Sequence, residues 1–99
     1  MTGKKIDVKL CEEILNQIPP KLSGSSELAK VMQKIQIQYG ININLKYANY
    51  IFNSNSNSYY YYSLEQKYIM YLYFKNSELK YAEIKNKESK RKICENGDR

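Results

Sequence analysis

The stretch IQIQYGININLKY, residues 35–47, is where the chain changes its period. Up to Gly40 the apolar residues Leu28, Val31, Met32, Ile35 and Tyr39 recur at spacings of three and four. Beyond it Ile41, Ile43, Leu45 and Tyr47 alternate with Asn42, Asn44 and Lys46. A step from a period of about 3.6 to about 2 marks a helix with one buried stripe giving way to a strand with one buried face. Gly40 stands where a helix ends in a left-handed residue. Helix, stop and strand in that order put the chain in the α+β class.

On the N-terminal side, Val8, Cys11, Ile14, Leu15 and Ile18 repeat the helical spacing and predict an earlier helix over Val8–Ile18. Pro19 and Pro20 end it. A linker, Lys21 to Ser26, follows, with Ser25 or Ser26 suited to cap the second helix and Glu27 suited to its dipole.

On the C-terminal side the first strand extends toward Phe52, with a phase slip around Ala48 and Asn49 that predicts a bulge or an end there. The tract NSNSNS, Asn53–Ser58, predicts a reversing loop, and Tyr59–Ser63 a second strand. Tyr68–Phe74 reads as a third strand, with a helix over Leu64–Phe74 as the competing assignment. Lys75–Glu78 reads as a turn and Leu79–Lys85 as a fourth strand, although Leu79, Ala82 and Glu83 also suit a helix. The expected architecture is two N-terminal helices packed on one face of a four-stranded antiparallel meander. Residues 1–85 form its single domain, and 86–99 a basic, mobile tail or frayed helix.

A chain of 99 residues is long enough to bury roughly 60 to 70% of its unfolded surface. It has no apolar run of the roughly 18 residues that a membrane span needs, and Met1–Lys9 has no apolar stretch of signal-peptide length. A soluble, cytoplasmic protein is expected. Heavy use of Lys, Asn, Ile and Tyr follows A- and T-rich codons, so some tyrosines reflect mutational bias. Cys11 and Cys94 are too few for a disulfide scaffold and too far apart for a metal knuckle, and are expected as unpaired thiols. A bridge between them would close a loop of about 84 residues.

Catalysis is poorly served. There is no His, and acid–base work near neutrality would need a perturbed Glu, Lys or Cys. Glu12 and Glu13 are adjacent and point apart on a helix, while Cys11 lies on the apolar stripe with no His to activate it. No glycine-rich phosphate loop or metal-ligand spacing is present. A non-enzymatic protein without cofactor or metal is expected.

Surfaces are better served. Eleven of the residues are Tyr, and Tyr59, Tyr60, Tyr61 and Tyr62 stand in a row. On a strand, Tyr59 and Tyr61 face one way and Tyr60 and Tyr62 the other, so two short helices cannot bury all four. Tyrosine packs a large apolar ring while its hydroxyl stays hydrogen-bonded, which suits sheet packing, a protein interface or homodimer, and stacking on bases or sugars. The four are the candidate partner-binding residues. The alternative is nucleic acid. Residues 85–99 hold six Lys or Arg against three acids, leaving ten against seven in the remainder. Lys85, Lys87, Lys90, Arg91 and Lys92 would attract phosphate without reading sequence, or serve only as a solubilising tail.

In size and in its richness in Tyr, Ile, Lys and Asn, the chain resembles the small orphan proteins of the lipothrixviruses, filamentous viruses of hyperthermophilic acidophilic archaea. The resemblance implies a virus-encoded accessory or virion-associated protein, located in the host cytoplasm or the virion and tolerant of heat and acid. It is compositional, carries no motif, and transfers no functional residue.

Overall fold

A computed structural model describes residues 5–22, 25–51 and 57–97. Helix α1 (Val8–Asn16) starts at Asp7, whose carboxylate accepts a hydrogen bond from the Leu10 amide at 2.8 Å and so satisfies one of the orphan donors of the first turn. It buries Cys11, Ile14 and Leu15. Val8, expected on the same stripe, is 55% exposed. A helical side chain covers the turn N-terminal to its own Cα, and Val8 opens the first turn, where that turn does not exist. The helix ends at Asn16, and Ile18 reaches the core from the irregular segment before the prolines.

Helix α2 (Ser25–Tyr39) has Glu27 in its first turn and buries Leu28, Met32 and Ile35, with Val31 and Tyr39 half-buried against the same core. Gly40 adopts φ +64° and donates its amide to Gln36 O at 2.9 Å, as expected for the residue that ends the helix. The Gln36 side chain then accepts the Ile43 amide at 3.0 Å, tying the helix end to the first strand.

Five strands follow where four are expected: β1 (Ile43–Ile51), β2 (Asn57–Leu64), β3 (Tyr68–Lys75), β4 (Glu78–Asn86) and β5 (Lys92–Gly97). All neighbours are antiparallel and in chain order, so the sheet is a meander. Of the expected loop Asn53–Ser58, Asn57 and Ser58 belong to β2, and 53–56 lie outside the described residues. Asn76 and Ser77 both have positive φ, the signature of a two-residue hairpin turn whose twist matches its strands. The linker after α1 is pinned to this turn, with the Leu22 amide donating to Ser77 O and the Leu79 amide to Pro20 O, each at 2.8 Å.

The segment expected as a basic tail contains β5. Asn86 organises the turn into it, since its side-chain oxygen accepts the amides of Glu88 at 2.9 Å and Ser89 at 3.0 Å. Ile93 and Cys94 face the core. The two cysteines, expected as unpaired thiols, form a disulfide from α1 to β5 with a Cα–Cα distance of 6.1 Å. Spacing of 83 residues hides the contact in the sequence because the meander brings the chain's far end beside α1. Such a loop removes about 4 to 5 kcal/mol of unfolded-state entropy in the chain-entropy model.

One face of the sheet carries Tyr60, Tyr62, Leu64, Tyr68, Met70, Leu72, Phe74, Ala82 and Ile84, which join both helices in a single core. That leaves the opposite face to account for.

Candidate functional site

Cross-strand register assigns the outward face row by row. Tyr47 pairs with Tyr61, Tyr61 with Tyr71, Tyr71 with Glu83 and Glu83 with Glu95. The adjacent row runs from Tyr59 through Tyr73 and Tyr81 to Gly97. Six tyrosines from four strands therefore share one surface.

Two bulges put them there. In β1 the register shifts between Leu45 and Tyr47, so Lys46 is the extra residue. Strict alternation would have kept Tyr47 on the side of Ile43 and Leu45; the bulge turns it outward beside Tyr61. The slip expected near Ala48 and Asn49 thus lies two residues earlier, and Leu45, still on the helix side of this edge strand, is left 53% exposed. In β4 a second shift sets Tyr81 opposite Tyr73 while keeping Leu79 opposite Phe74, with Lys80 as the extra residue. Gly97, opposite Tyr81, has φ +95°, and a Cβ there would lie 2.4 Å from Lys80 O. Only glycine fits so close to the bulged backbone.

The rings form a continuous layer. Tyr59 stacks on Tyr73 with centroids 5.0 Å apart and planes 17° from parallel, and on Tyr71 at 6.3 Å and 19°. Tyr61 lies 4.9 Å from Tyr71 and 5.9 Å from Tyr47, and Tyr71 lies 6.1 Å from Tyr81. Tyr59 turns its faces to Tyr71 and Tyr73, while the Tyr47–Tyr61, Tyr61–Tyr71 and Tyr71–Tyr81 pairs are tilted by 54°, 39° and 51°. Tyr47 is 55% and Tyr61 37% exposed; Tyr59, Tyr71 and Tyr73 are half-buried. Burial within the layer, reinforced by the neighbouring phenols of Tyr61, Tyr59 and Tyr73 and by Glu83, pushes the Tyr71 hydroxyl up to about 12.

At the β4–β5 end the layer turns polar. The Tyr81 hydroxyl lies 2.7 Å from Glu83 Oε1 and 2.8 Å from Glu95 Oε1. One hydroxyl proton serves two acceptors, and the balancing positive charge comes from Lys92, which hydrogen-bonds Glu95, lies 3.7 Å from Glu83 and sits 5.8 Å above the Tyr81 ring. Those hydrogen bonds to Glu95 and Tyr81 hold the Lys92 ammonium above its ordinary range. Like charges face each other across the strands, Glu83 with Glu95 and Lys85 with Lys92. The arrangement holds because each lysine also lies near a glutamate, Lys85 being 4.0 Å from Glu83.

Of the four tyrosines singled out by sequence, only Tyr59 and Tyr61 reach this surface. Tyr60 and Tyr62 are 4% and 6% exposed and pack under the helices, Tyr60 edge-on to Phe74 at 5.8 Å. The five basic residues also divide. Lys85 and Lys92 belong to the charged end of the outward face, whereas Lys87, Lys90 and Arg91 are exposed on the β4–β5 turn. Sequence reading did not find Tyr47, Tyr71, Tyr73, Tyr81, Glu83 and Glu95. The alternation of β3 carries the signal for Tyr71 and Tyr73; the other four depend on bulges or on β5. Among the described residues, no group of three or more metal-ligating side chains comes together, and no helix is long and apolar enough to cross a membrane.

Comparison of the chain with protein-family models, with curated proteins and with solved structures found no match.

Proposed function

We propose that this chain is a non-enzymatic association protein whose outward tyrosine face packs against a second copy of itself. The observation that carries the reading is the continuous layer of six tyrosine rings on the side of the sheet away from both helices. Tyrosine layers of this kind combine large contact area with few rotatable bonds, the property that enriches them at interface hot spots.

Two features favour a second copy. The chain carries a net charge of +6, yet at the β4–β5 end of the outward face Lys85 and Lys92 stand against Glu83 and Glu95 and sum to zero. Two copies can therefore meet on this face without opposing their positive excess. Five strands about 4.8 Å apart and about eight residues long present roughly 600 Å² per copy, at the lower end of what a specific dimer buries. Stacking of Tyr59 on Tyr71 and Tyr73 leaves fewer open ring faces for a nucleobase, which needs one. Non-enzymatic character is supported by the absence of His and by both thiols being consumed in the disulfide. The resemblance in composition and size supports a virus-encoded accessory or virion-associated setting.

Sedimentation velocity over a concentration series tests the reading. A concentration-dependent dimer, weakened at least about tenfold by Tyr61→Lys with an unchanged circular dichroism spectrum, is expected. A monomer at every concentration up to about 1 mM overturns it. So does salt-sensitive binding of labelled DNA that survives Tyr61→Lys and is lost when Lys87, Lys90 and Arg91 are replaced by Ser; that result moves the function to the β4–β5 turn. Capture of an unrelated protein by the tyrosine face, without dimerisation, keeps the surface and overturns the partner.

A further inference from the structure

We propose that Cys94 is a site of thiol–disulfide exchange with a dithiol reductant, and that opening the Cys11–Cys94 bond there releases β5 from the sheet. The two ends of the bond are unequal. Cys11 is 0% exposed beneath α1. Cys94 is half-buried on an edge strand and lines a groove of about 250 Å³ with Glu12, Leu15, Asn16, Glu95 and Asn96. A thiolate entering that groove reaches the residue that carries one of the two sulfurs, past the carboxylates of Glu12 and Glu95, while Cys11 is wholly buried on the inner side of its helix. Access decides which sulfur is attacked.

The exchange balances without a further reagent. A thiolate of the dithiol bonds to Cys94 Sγ, the Cys11–Cys94 bond breaks, and Cys11 leaves as a thiolate that takes up a proton. The reductant's second thiolate then attacks its own sulfur in the mixed disulfide and displaces Cys94. The reductant closes to a disulfide, and the protein gains two thiols and two electrons.

Release follows from where β5 sits: it is an edge strand, held by its ladder to β4, by the contacts of Glu95 and Lys92 with Tyr81 and Glu83, and by the disulfide. Of its six residues, Ile93 and Cys94 alone pack against the core; Lys92, Glu95, Asn96 and Gly97 are exposed. Helix α1 meets the sheet chiefly at β5 and less at β4, so the disulfide is the bond between the strand and the helix that flanks it. Met70, Leu72 and Phe74 lie on the central strand β3, in the core that both helices share. Low local burial marks a segment that opens before the whole molecule does.

The consequence crosses the sheet. Tyr81 and Glu83 are 2% and 5% exposed, with the β5 side chains of Glu95 and Lys92 bound to them. Loss of β5 uncovers both and leaves β4 as the new edge. A bond on the helix side thereby sets the state of one end of the tyrosine face.

The intact chain, exposed briefly to limiting 2-mercaptoethanol, quenched in acid, alkylated and digested, should carry the mercaptoethanol adduct on Cys94 and the alkyl group on Cys11, in at least about tenfold excess over the reverse. An adduct chiefly on Cys11, or an even split, overturns the site. Hydrogen exchange on the chain reduced with dithiothreitol should then accelerate at least about tenfold in β5, with the amides of Tyr60–Tyr62 and Met70–Leu72 still protected. Unchanged exchange in β5, or lost protection in every strand, overturns the release. The double variant Cys11→Ala, Cys94→Ala gives the same reading without reductant. None of these measurements depends on self-association, so failure here and failure of the dimer are separately visible.

Discussion

The two faces of this sheet are built from alternate residues of the same strands, and they solve the same problem differently. On β3, Met70, Leu72 and Phe74 are sealed under the helices, while Tyr71 and Tyr73 between them stay half-open. The inner face removes apolar surface from water by covering it. The outer face is covered by no described element, and its tyrosines shield one another, with Tyr47 and Tyr61 left exposed and the Tyr81 hydroxyl bonded to Glu83 and Glu95. A sheet backed by only two helices can thus leave one side uncovered without presenting a bare aliphatic patch.

The sharpest test compares neighbours of identical chemistry. Tyr60→Ala empties a core site and should cost about 3 to 5 kcal/mol. Tyr61→Ala, one residue on, removes ring contacts with Tyr47 and Tyr71 from a surface and should cost about 0.5 to 1.5 kcal/mol. Urea unfolding of both variants measures the difference. Equal losses would mean that the outward face is buried in solution by something else, a partner copy included, and repeating the measurement below the dimerisation range separates that case.

A smaller effect probes the polar end of the layer. Tyr81→Phe keeps the ring and deletes the hydroxyl that Glu83 and Glu95 share. The cost should be about 1 to 3 kcal/mol, the loss expected when a buried charged group is left short of a hydrogen bond. Adding Glu83→Gln should recover part of that loss, because it removes the charge left wanting; denaturation midpoints of the single and double variants give the coupling.

How far these faces were legible in sequence depended on whether the period stayed regular. The apolar spacing of Val8–Ile18 and the change of period at Gly40 are local signals from which both helices and the first strand follow, and the aromatic and branched run Tyr68–Phe74 marks an inner strand of the meander. Tyr47 and Tyr81 were not legible, because single extra residues at Lys46 and Lys80 invert the phase, and a bulge has no strong local composition. Strand β5 was hidden for a different reason. Its residues Lys92, Glu95 and Asn96 are chosen for an edge and a charged cluster, and of the two that face inward, Ile93 and Cys94, the second is bonded to a residue 83 positions away. Edge strands carry weak hydrophobic patterns because half their role is to avoid pairing.

The smallest effect at neutral pH belongs to Tyr71→Phe, which should change stability by less than about 0.5 kcal/mol, since the hydroxyl sits half-exposed in a layer whose ring contacts Phe retains. At alkaline pH the same variant should separate clearly from the parent. The Tyr71 hydroxyl titrates near 10.0 when unfolded and about 12 in the folded chain. Folding therefore favours its neutral form, and the unfolded state loses its proton first. The contribution is fully present below pH 10 and is lost as pH rises from 10 toward 12. Lys92, also raised from its ordinary value of 10.5, loses its own contribution with the same sign as pH climbs past that value. The parent should thus show a steep fall in denaturation midpoint above pH 10. Tyr71→Phe should fall less steeply, keeping the Lys92 component. Parallel curves for the two proteins would mean that the ring layer is solvated in solution, and that the contrast between a covered face and a self-shielding one does not hold.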